Sequence, residues 1–262
     1  MLFISPPFGN YINLPYTKSI KGSFTLEKRD GLFLQIMKTL RYSFEYGGWK
    51  NKIGLRNKGI DWAINKYQDK YLNQKPIISI AILDESEIDK FLQKIPDDMD
   101  LEINISCPNT EHSLVCNNIH KFLNPKRDWC SIKLSPTTDM KLIDKYYQQG
   151  FRKFHCSNTF PTPSGGISGS YLIPYTTNLI KSIKKKYPDS DIIAGGGIRN
   201  ISILENYKKI GANHFSVSTL AFNPFKFGIL YFSIIFILLI PPPAIISVSG
   251  YLFLIDFIRL VV

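Results

Sequence analysis

The chain has 262 residues, 32 Lys and Arg against 21 Asp and Glu, and 44% hydrophobic residues. This length and apolar content can bury a sizeable core, which excludes a disordered tail and a disulfide-stapled miniprotein. From Phe227 onward the chain carries one Arg (Arg259) and one Asp (Asp256), so all of the +11 formal charge lies on residues 1–226. A basic excess of that size suits an anionic small molecule, a nucleic acid or an acidic membrane surface. Runs such as Lys181 to Lys186 read as one exposed helix face, and no aromatic stripe interleaves them as single-stranded nucleic acid would need.

The N-terminal Met1-Leu2-Phe3-Ile4 is too short an apolar stretch for a signal peptide, and cytoplasmic synthesis is expected. Cys107, Cys116, Cys130 and Cys156 have no C-x-x-C spacing, so neither a zinc site nor a disulfide framework is indicated, and a reducing compartment is expected. His112, His120, His155 and His214 have no ligand spacing and read as structural or surface residues. No metal is expected.

From position 77 onward one pattern recurs. Short β-prone runs occur at Ile77 to Ile82, Leu101 to Ser106, Cys130 to Leu134, Lys153 to Ser157, Asp191 to Ala194 and His214 to Ser218, each separated by enough chain for a helix. Thr138-Asp139 opens a helical spacing of Met140, Leu142, Ile143 and Tyr147 that Gly150 closes, and Asn200 opens another that Gly211 closes. This is a β-α-β-α rhythm, and its strands read as nearly continuous apolar runs, which fits parallel strands covered on both sides. A doubly wound sheet and a barrel are both compatible with it.

The strand ends discriminate between them, because barrel enzymes place their chemistry on the loops that follow each strand. One strand ends Asn104-Ile105-Ser106-Cys107-Pro108-Asn109-Thr110, which clusters a thiol with carboxamides that offer a donor and an acceptor together. The next carries Lys133 on an otherwise apolar run, and the next ends Cys156-Ser157-Asn158-Thr159. Glycine clusters follow at Gly165 to Gly169 and Gly195 to Gly197, and the last strand ends Ser216-Val217-Ser218-Thr219. Glycines after the penultimate strand and hydroxyls after the last are the materials of a barrel phosphate site.

With these motifs in order, together with Thr17-Lys18-Ser19 and Asn51 to Asn57, the chain resembles the dihydroorotate dehydrogenase family over roughly residues 4–225, and Asn-x-Ser-Cys-Pro-Asn is the most specific string. The resemblance implies a (β/α)8 TIM barrel that binds FMN and oxidises dihydroorotate to orotate in pyrimidine (UMP) biosynthesis. It implies Cys107 as the catalytic base, as in the soluble, Cys-type members. It places Lys18, Asn51, Gly54, Leu55, Asn104, Asn109, Asn158 and Thr159 around the substrate. Lys18, Ser19, Asn104, Lys133, Gly169, Gly196, Gly197, Ser218 and Thr219 fall to the flavin. A homodimer is implied as well.

Three departures qualify the match. Only 16 residues precede Thr17 and none forms the family's Ala-Ser-Gly turn, so the barrel is expected to lack its first β/α unit. The segment Glu111 to Cys116 is shorter than the family's lid, and Cys116 is a second thiol able to act as proton donor. The family's last amphipathic helix is replaced by Phe227 to Ile240, apolar on every face, followed by Pro241-Pro242-Pro243 and a second apolar run. A kinked membrane span, a re-entrant hairpin and a buried closing element are all open for residues 227–262. The expected organisation is therefore a flavin barrel over 1–226 and an apolar tail over 227–262. Two competing functions stand beside it: a degenerate barrel tethered to a membrane, and a related flavin barrel acting on dihydropyrimidines.

Overall fold

The computed structural model describes residues 1–68, 75–105 and 117–239. Eight parallel strands close a barrel: β1 (Leu2–Ile4), β2 (Thr17–Phe24), β5 (Ile77–Ala81), β6 (Leu101–Asn104), β7 (Cys130–Leu134), β8 (Lys153–Cys156), β11 (Asp191–Gly195) and β12 (His214–Val217). Between β2 and β5 the chain leaves the barrel through helix α1 (Leu32–Thr39) and strands β3 (Arg41–Ser43) and β4 (Gly48–Asn51). Between β8 and β11 it leaves again through β9 (Phe160–Thr162) and β10 (Gly165–Gly169). These four strands pair antiparallel, in the order β3-β4-β10-β9, as a second sheet.

The expectation that the first β/α unit is missing is corrected. Leu2–Ile4 is the first strand, pairing parallel to both β12 (Leu2 with Phe215, Ile4 with Val217) and β2 (Leu2 with Thr17, Ile4 with Ser19). What the first unit lacks is its helix: residues 5–16 return the chain with only a 3₁₀ turn at Phe8–Asn10. That segment meets the dozen or so residues a parallel crossover requires. Three apolar residues are too few for a periodicity, and the strand is recognisable only through its two partners.

Helices α2 (Ile60–Tyr67), α3 (Glu87–Lys94), α4 (Met140–Gln148), α5 (Ile173–Lys186), α6 (Ile201–Lys209) and α7 (Pro224–Leu239) follow the strands. The expected caps are present. Asp139 accepts from the Lys141 N–H at 3.1 Å and Asn200 from the Ile203 N–H at 3.1 Å. Gly150 and Gly211 end their helices at φ 103° and 108°, where a side chain would be strained. On α5, Ile180 and Ile183 are buried while Lys181, Lys185 and Lys186 are exposed, as the basic run suggested.

The barrel strands face two different environments. Outward residues, among them Ile78, Ile103, Ile132, Phe154 and Ile192, form one continuous core with the helices. The inward face begins with a separate apolar plug of Phe3, Ile20, Ile77, Trp129 and Ile193. Above it the inward residues turn polar: Ser79, Glu102, Lys133, His155 and Ser216, all buried. The continuous apolar strands read from sequence therefore hold only for the outer face.

The described part of the tail is a closing element. Helix α7 buries Phe227, Leu230 and Ile234 in the core, a spacing that keeps one helix face on the barrel, while Phe225 and Phe232 remain exposed. The Tyr231 hydroxyl donates to the Pro15 carbonyl at 3.1 Å. No helix among the described residues is long and apolar enough to cross a membrane. Residues 240–262 lie outside the described residues.

Phe91 lies wholly inside the outer core, whereas Phe225 is 70% exposed on α7. Phe91→Ala is expected to cost roughly 3–5 kcal/mol. Phe225→Ala is expected to change stability by less than about 0.5 kcal/mol. Denaturant unfolding of the two variants beside the parent chain measures both.

Candidate active site

A cavity of about 640 Å³ opens at the C-terminal ends of the barrel strands. That volume lies within the range of small-molecule and cofactor sites. Its floor is the polar inner layer of the barrel, including Asn104, Lys133, His155, Gly195 and Ser216. The antiparallel sheet and α1 form a wall, with Leu32, Ile36, Leu40 and Trp49 from one excursion and Gly166, Ser168 and Gly169 from the other. Phe222, after β12, sets its ring 4.4 Å from that of Trp49. The cavity is thus apolar on one side and polar beneath.

Most of the residues singled out from sequence meet here. Asn51, Gly54, Leu55, Asn104, Lys133, Asn158, Thr159, Gly169, Gly196, Gly197, Ser218 and Thr219 all line the cavity. Asn51 reaches it because β4 pairs with β10, setting Asn51 opposite Gly166. Gly54 and Leu55 follow as a turn with φ 68° and 55°. The carboxamides are held in a chain: the Asn158 side-chain N–H donates to Asn104 Oδ1 at 3.3 Å, and the Asn104 side-chain N–H donates to the Ser23 hydroxyl at 2.9 Å. Cys107 and Asn109 lie outside the described residues, as does Cys116.

Lys18 and Ser19 are corrected. They sit low on β2, away from the cavity: Lys18 bonds Asp100, just before β6, at 2.6 Å, and the Ser19 hydroxyl donates to the Ile12 carbonyl at 2.7 Å. The part of β2 that reaches the cavity is Gly22, Ser23 and Phe24. The register with β1 shows why. Leu2 lies opposite Thr17 and Phe3 opposite Lys18, so Thr17-Lys18-Ser19 begins the strand and cannot be its end.

Sequence reasoning missed the acid and the histidine of the floor. Glu102 is fully buried; one carboxylate oxygen accepts from the Ser79 hydroxyl at 2.8 Å and the other lies 2.6 Å from His155 Nδ1. Lys133 Nζ stands 3.7 Å from the same carboxylate. Burial pushes the Glu102 carboxyl upward, but the Lys133 charge, the His155 ring and the Ser79 hydroxyl together outweigh it and hold the group at about 2. Burial lowers His155, so beside an ionised Glu102 it is the neutral imidazole that donates through Nδ1–H. A signal was present in the sequence for the acid: Glu102 is two residues before Asn104 on one strand, so it shares that residue's inward face.

Two features define what the cavity can hold. Among the described residues its lining includes Arg56, Lys58, Lys66 and Lys133 and no Asp or Glu, so it favours anionic ligands. Beyond β11, Gly196 and Gly197 adopt φ 89° and 79°, and a Cβ on Gly197 would stand 2.5 Å from the Ile173 side chain. Their backbone can approach a ligand where no larger residue could. Cys130 and Cys156 are free thiols whose pKa burial pushes up, Cys130 to about 12, so both stay protonated and are inert packing residues.

No family model matches the chain. It is similar to the protein named dihydroorotate dehydrogenase B (NAD(+)), catalytic subunit, of Petrotoga mobilis, 27% identical over 231 residues that cover 76% of this chain and 75% of that one. The protein of the same name from Alkaliphilus metalliredigens is 38% identical over 171 residues, covering 60% of this chain and 51% of the other. Among solved structures, ligand-free DHODH from Eimeria tenella superposes with a TM-score of 0.62 at 15% identity, covering 84% of this chain and 78% of that one, which establishes the shared fold.

Glu102 titrates lower in the folded chain than its ordinary value of 4.5. Its contribution to stability is therefore complete above about pH 4.5 and is lost as pH falls toward 2. The difference in Tm between the parent chain and Glu102→Gln is expected to be largest near neutral pH and to shrink below pH 4.5, as thermal melts across that range will read.

Proposed function

The chain is a homologue of the dihydroorotate dehydrogenases, and on that premise we propose that it oxidises dihydroorotate to orotate with FMN as hydride acceptor, a step of pyrimidine biosynthesis. The observation that carries this reading is the cavity at the C-terminal mouth of the barrel, lined by cations and by no acid among the described residues, where Asn51, Asn104 and Asn158 converge with Lys133. Carboxamides supply a donor and an acceptor together, which matches the alternating N–H and C=O groups of a dihydropyrimidine ring.

The residues fit FMN on their own chemistry. Gly196 and Gly197, with the backbone of Ser218 and the hydroxyl of Thr219, line the cavity after the last two strands, where barrels of this kind hold a phosphate. The Ser218 hydroxyl donates to the Pro6 carbonyl at 2.6 Å, which ties this loop to the end of β1. Gly169 closes the wall between them, and a Cβ there would stand 2.8 Å from the Gly48 Cα. Lys133 supplies a fixed positive charge on the floor. When bound, FMN supplies the acceptor for the hydride that leaves C6 of the substrate.

The protein's own part is to bind, orient and move one proton. Cys107, read from the Asn-x-Ser-Cys-Pro-Asn string, is the base that takes the proton from C5. Asn51, Asn104, Asn109 and Asn158 hold the ring, and the Gly54-Leu55 backbone receives the carboxylate. Thr159 borders the same group of residues, and its N–H donates to the Asn158 carbonyl oxygen at 2.9 Å, which fixes that amide's direction. Gly22 and Ser23 take the place first assigned to Lys18 and Ser19. A homodimer, implied by the resemblance, belongs to the same proposal.

The purified full-length chain is expected to carry the visible spectrum of bound flavin; a colourless protein that takes up no added FMN would sink this reading. Cys107→Ser is expected to keep the flavin and to lose at least ~10²-fold in the rate of flavin reduction by dihydroorotate at neutral pH, since a hydroxyl yields its proton far less readily than a thiol. An unchanged rate would move the base elsewhere. Orotate, and not uracil, is expected to raise the Tm of the flavin-loaded protein; protection by uracil alone would favour a dihydropyrimidine substrate.

A further inference from the structure

The reaction proposed above uses Lys133 and gives no task to the acid and the histidine buried beside it. The three residues lie on adjacent strands: Glu102 on β6, Lys133 on β7 and His155 on β8, with Lys133 directly opposite His155 in the register. Glu102 cannot swing, because Ser79 holds one carboxylate oxygen and His155 the other. His155 cannot swing either. Its Nε2 edge packs under Gly195, where a Cβ would stand only 2.5 Å away, so this glycine is what leaves room for the ring. The same hydrogen-bonded chain continues upward, since Ser79 and Ser23 share a hydrogen bond at 2.9 Å and Ser23 accepts from Asn104.

A lysine is a point charge on a flexible four-carbon stem and does not by itself stay in one place. Here its ammonium has a rigid counter-charge 3.7 Å away. We infer that Glu102 and His155 are positioning residues that pin the Lys133 ammonium at one point of the cavity floor and offset its charge there. That the charge serves a flavin rests on the proposed function; the coupling of the three side chains does not. Among the described residues the charged groups acting on Glu102 are Lys133 and His155, and those acting on His155 are Glu102 and Lys133. The other inward residues around them, Ser79, Asn104 and Ser216, are uncharged. The trio therefore has one ionised acid, one ammonium and a neutral ring.

Two measurements test this. In the first, the full chain labelled with ¹⁵N in its histidine rings is titrated without flavin. His155 is expected as the neutral Nδ1–H tautomer at neutral pH. In Lys133→Met, Glu102 loses its cation, and the ring's proton affinity is expected to rise at least tenfold. An identical titration in both proteins overturns the inference. In the second, the flavin-loaded parent and Glu102→Gln are equilibrated with a reference dye. Removing the counter-charge is expected to favour the reduced flavin at least tenfold, which is about 30 mV for a two-electron couple. An unchanged potential with intact flavin binding also overturns it. Should either variant fail to fold, His155→Gln and His155→Leu replace it. The glutamine retains an N–H for Glu102, so the leucine variant is expected to shift the potential at least threefold further in the ratio of oxidised to reduced flavin; equal shifts refute a positioning role. A parent chain that takes up no FMN refutes the proposed function, and the flavin-free titration then decides the coupling alone.

Discussion

Three residues at the N-terminus hold the architecture closed. Leu2–Ile4 pairs with β12 on one side and β2 on the other, joining the first twenty residues of the chain to its last strand. Without that double pairing β2 and β12 would be the two edges of an open sheet with unpaired backbone groups. Closure removes the edges and, because all eight strands are parallel, gathers every strand end at one mouth. Asn51, Asn104, Lys133, Asn158, Gly196 and Ser218 share a cavity for this reason.

Closure also creates an interior that must be filled. The lower part is filled with apolar side chains, where Phe3 and Trp129 pack at 5.1 Å between ring centres. The upper part is filled with a paired acid and base. A buried carboxylate is costly unless it is paired and hydrogen-bonded, and Glu102 is both. Buried ion pairs are in general weak sources of stability, and the charge at this level bears on the cavity above it. The polar layer fixes the amides and the ammonium that form the floor, and stability and site geometry become a single problem.

Much of the fold was legible because helix caps and strand runs are local. Asp139, Gly150, Asn200 and Gly211 stand where their conformational preferences place them, and six of the eight barrel strands were visible as β-prone runs. The elements that were not legible are those defined by partners. Leu2–Ile4 has no periodicity of its own. Lys18 carries the right functional group, but its position along β2 follows from pairing with β1, which puts it beside Asp100 and away from the cavity. His155 reads from sequence as a structural or surface residue, and only the fold sets it beside Glu102. The apolar run after Phe227 looked uniform, yet the barrel uses one face of it, through Phe227, Leu230 and Ile234.

The sequence by itself determined the β-α-β-α order, the polar strand ends and the resemblance carried by the Asn-x-Ser-Cys-Pro-Asn string, since each depends on neighbouring residues and their intrinsic preferences. Only the tertiary structure decided that the barrel has its full eight strands, which end of β2 faces the cavity, and that Glu102, Lys133 and His155 form one group. The physical reason is that strand register and inward facing are set by hydrogen bonds between segments far apart in the chain, and a shift of one residue exchanges the inner face for the outer.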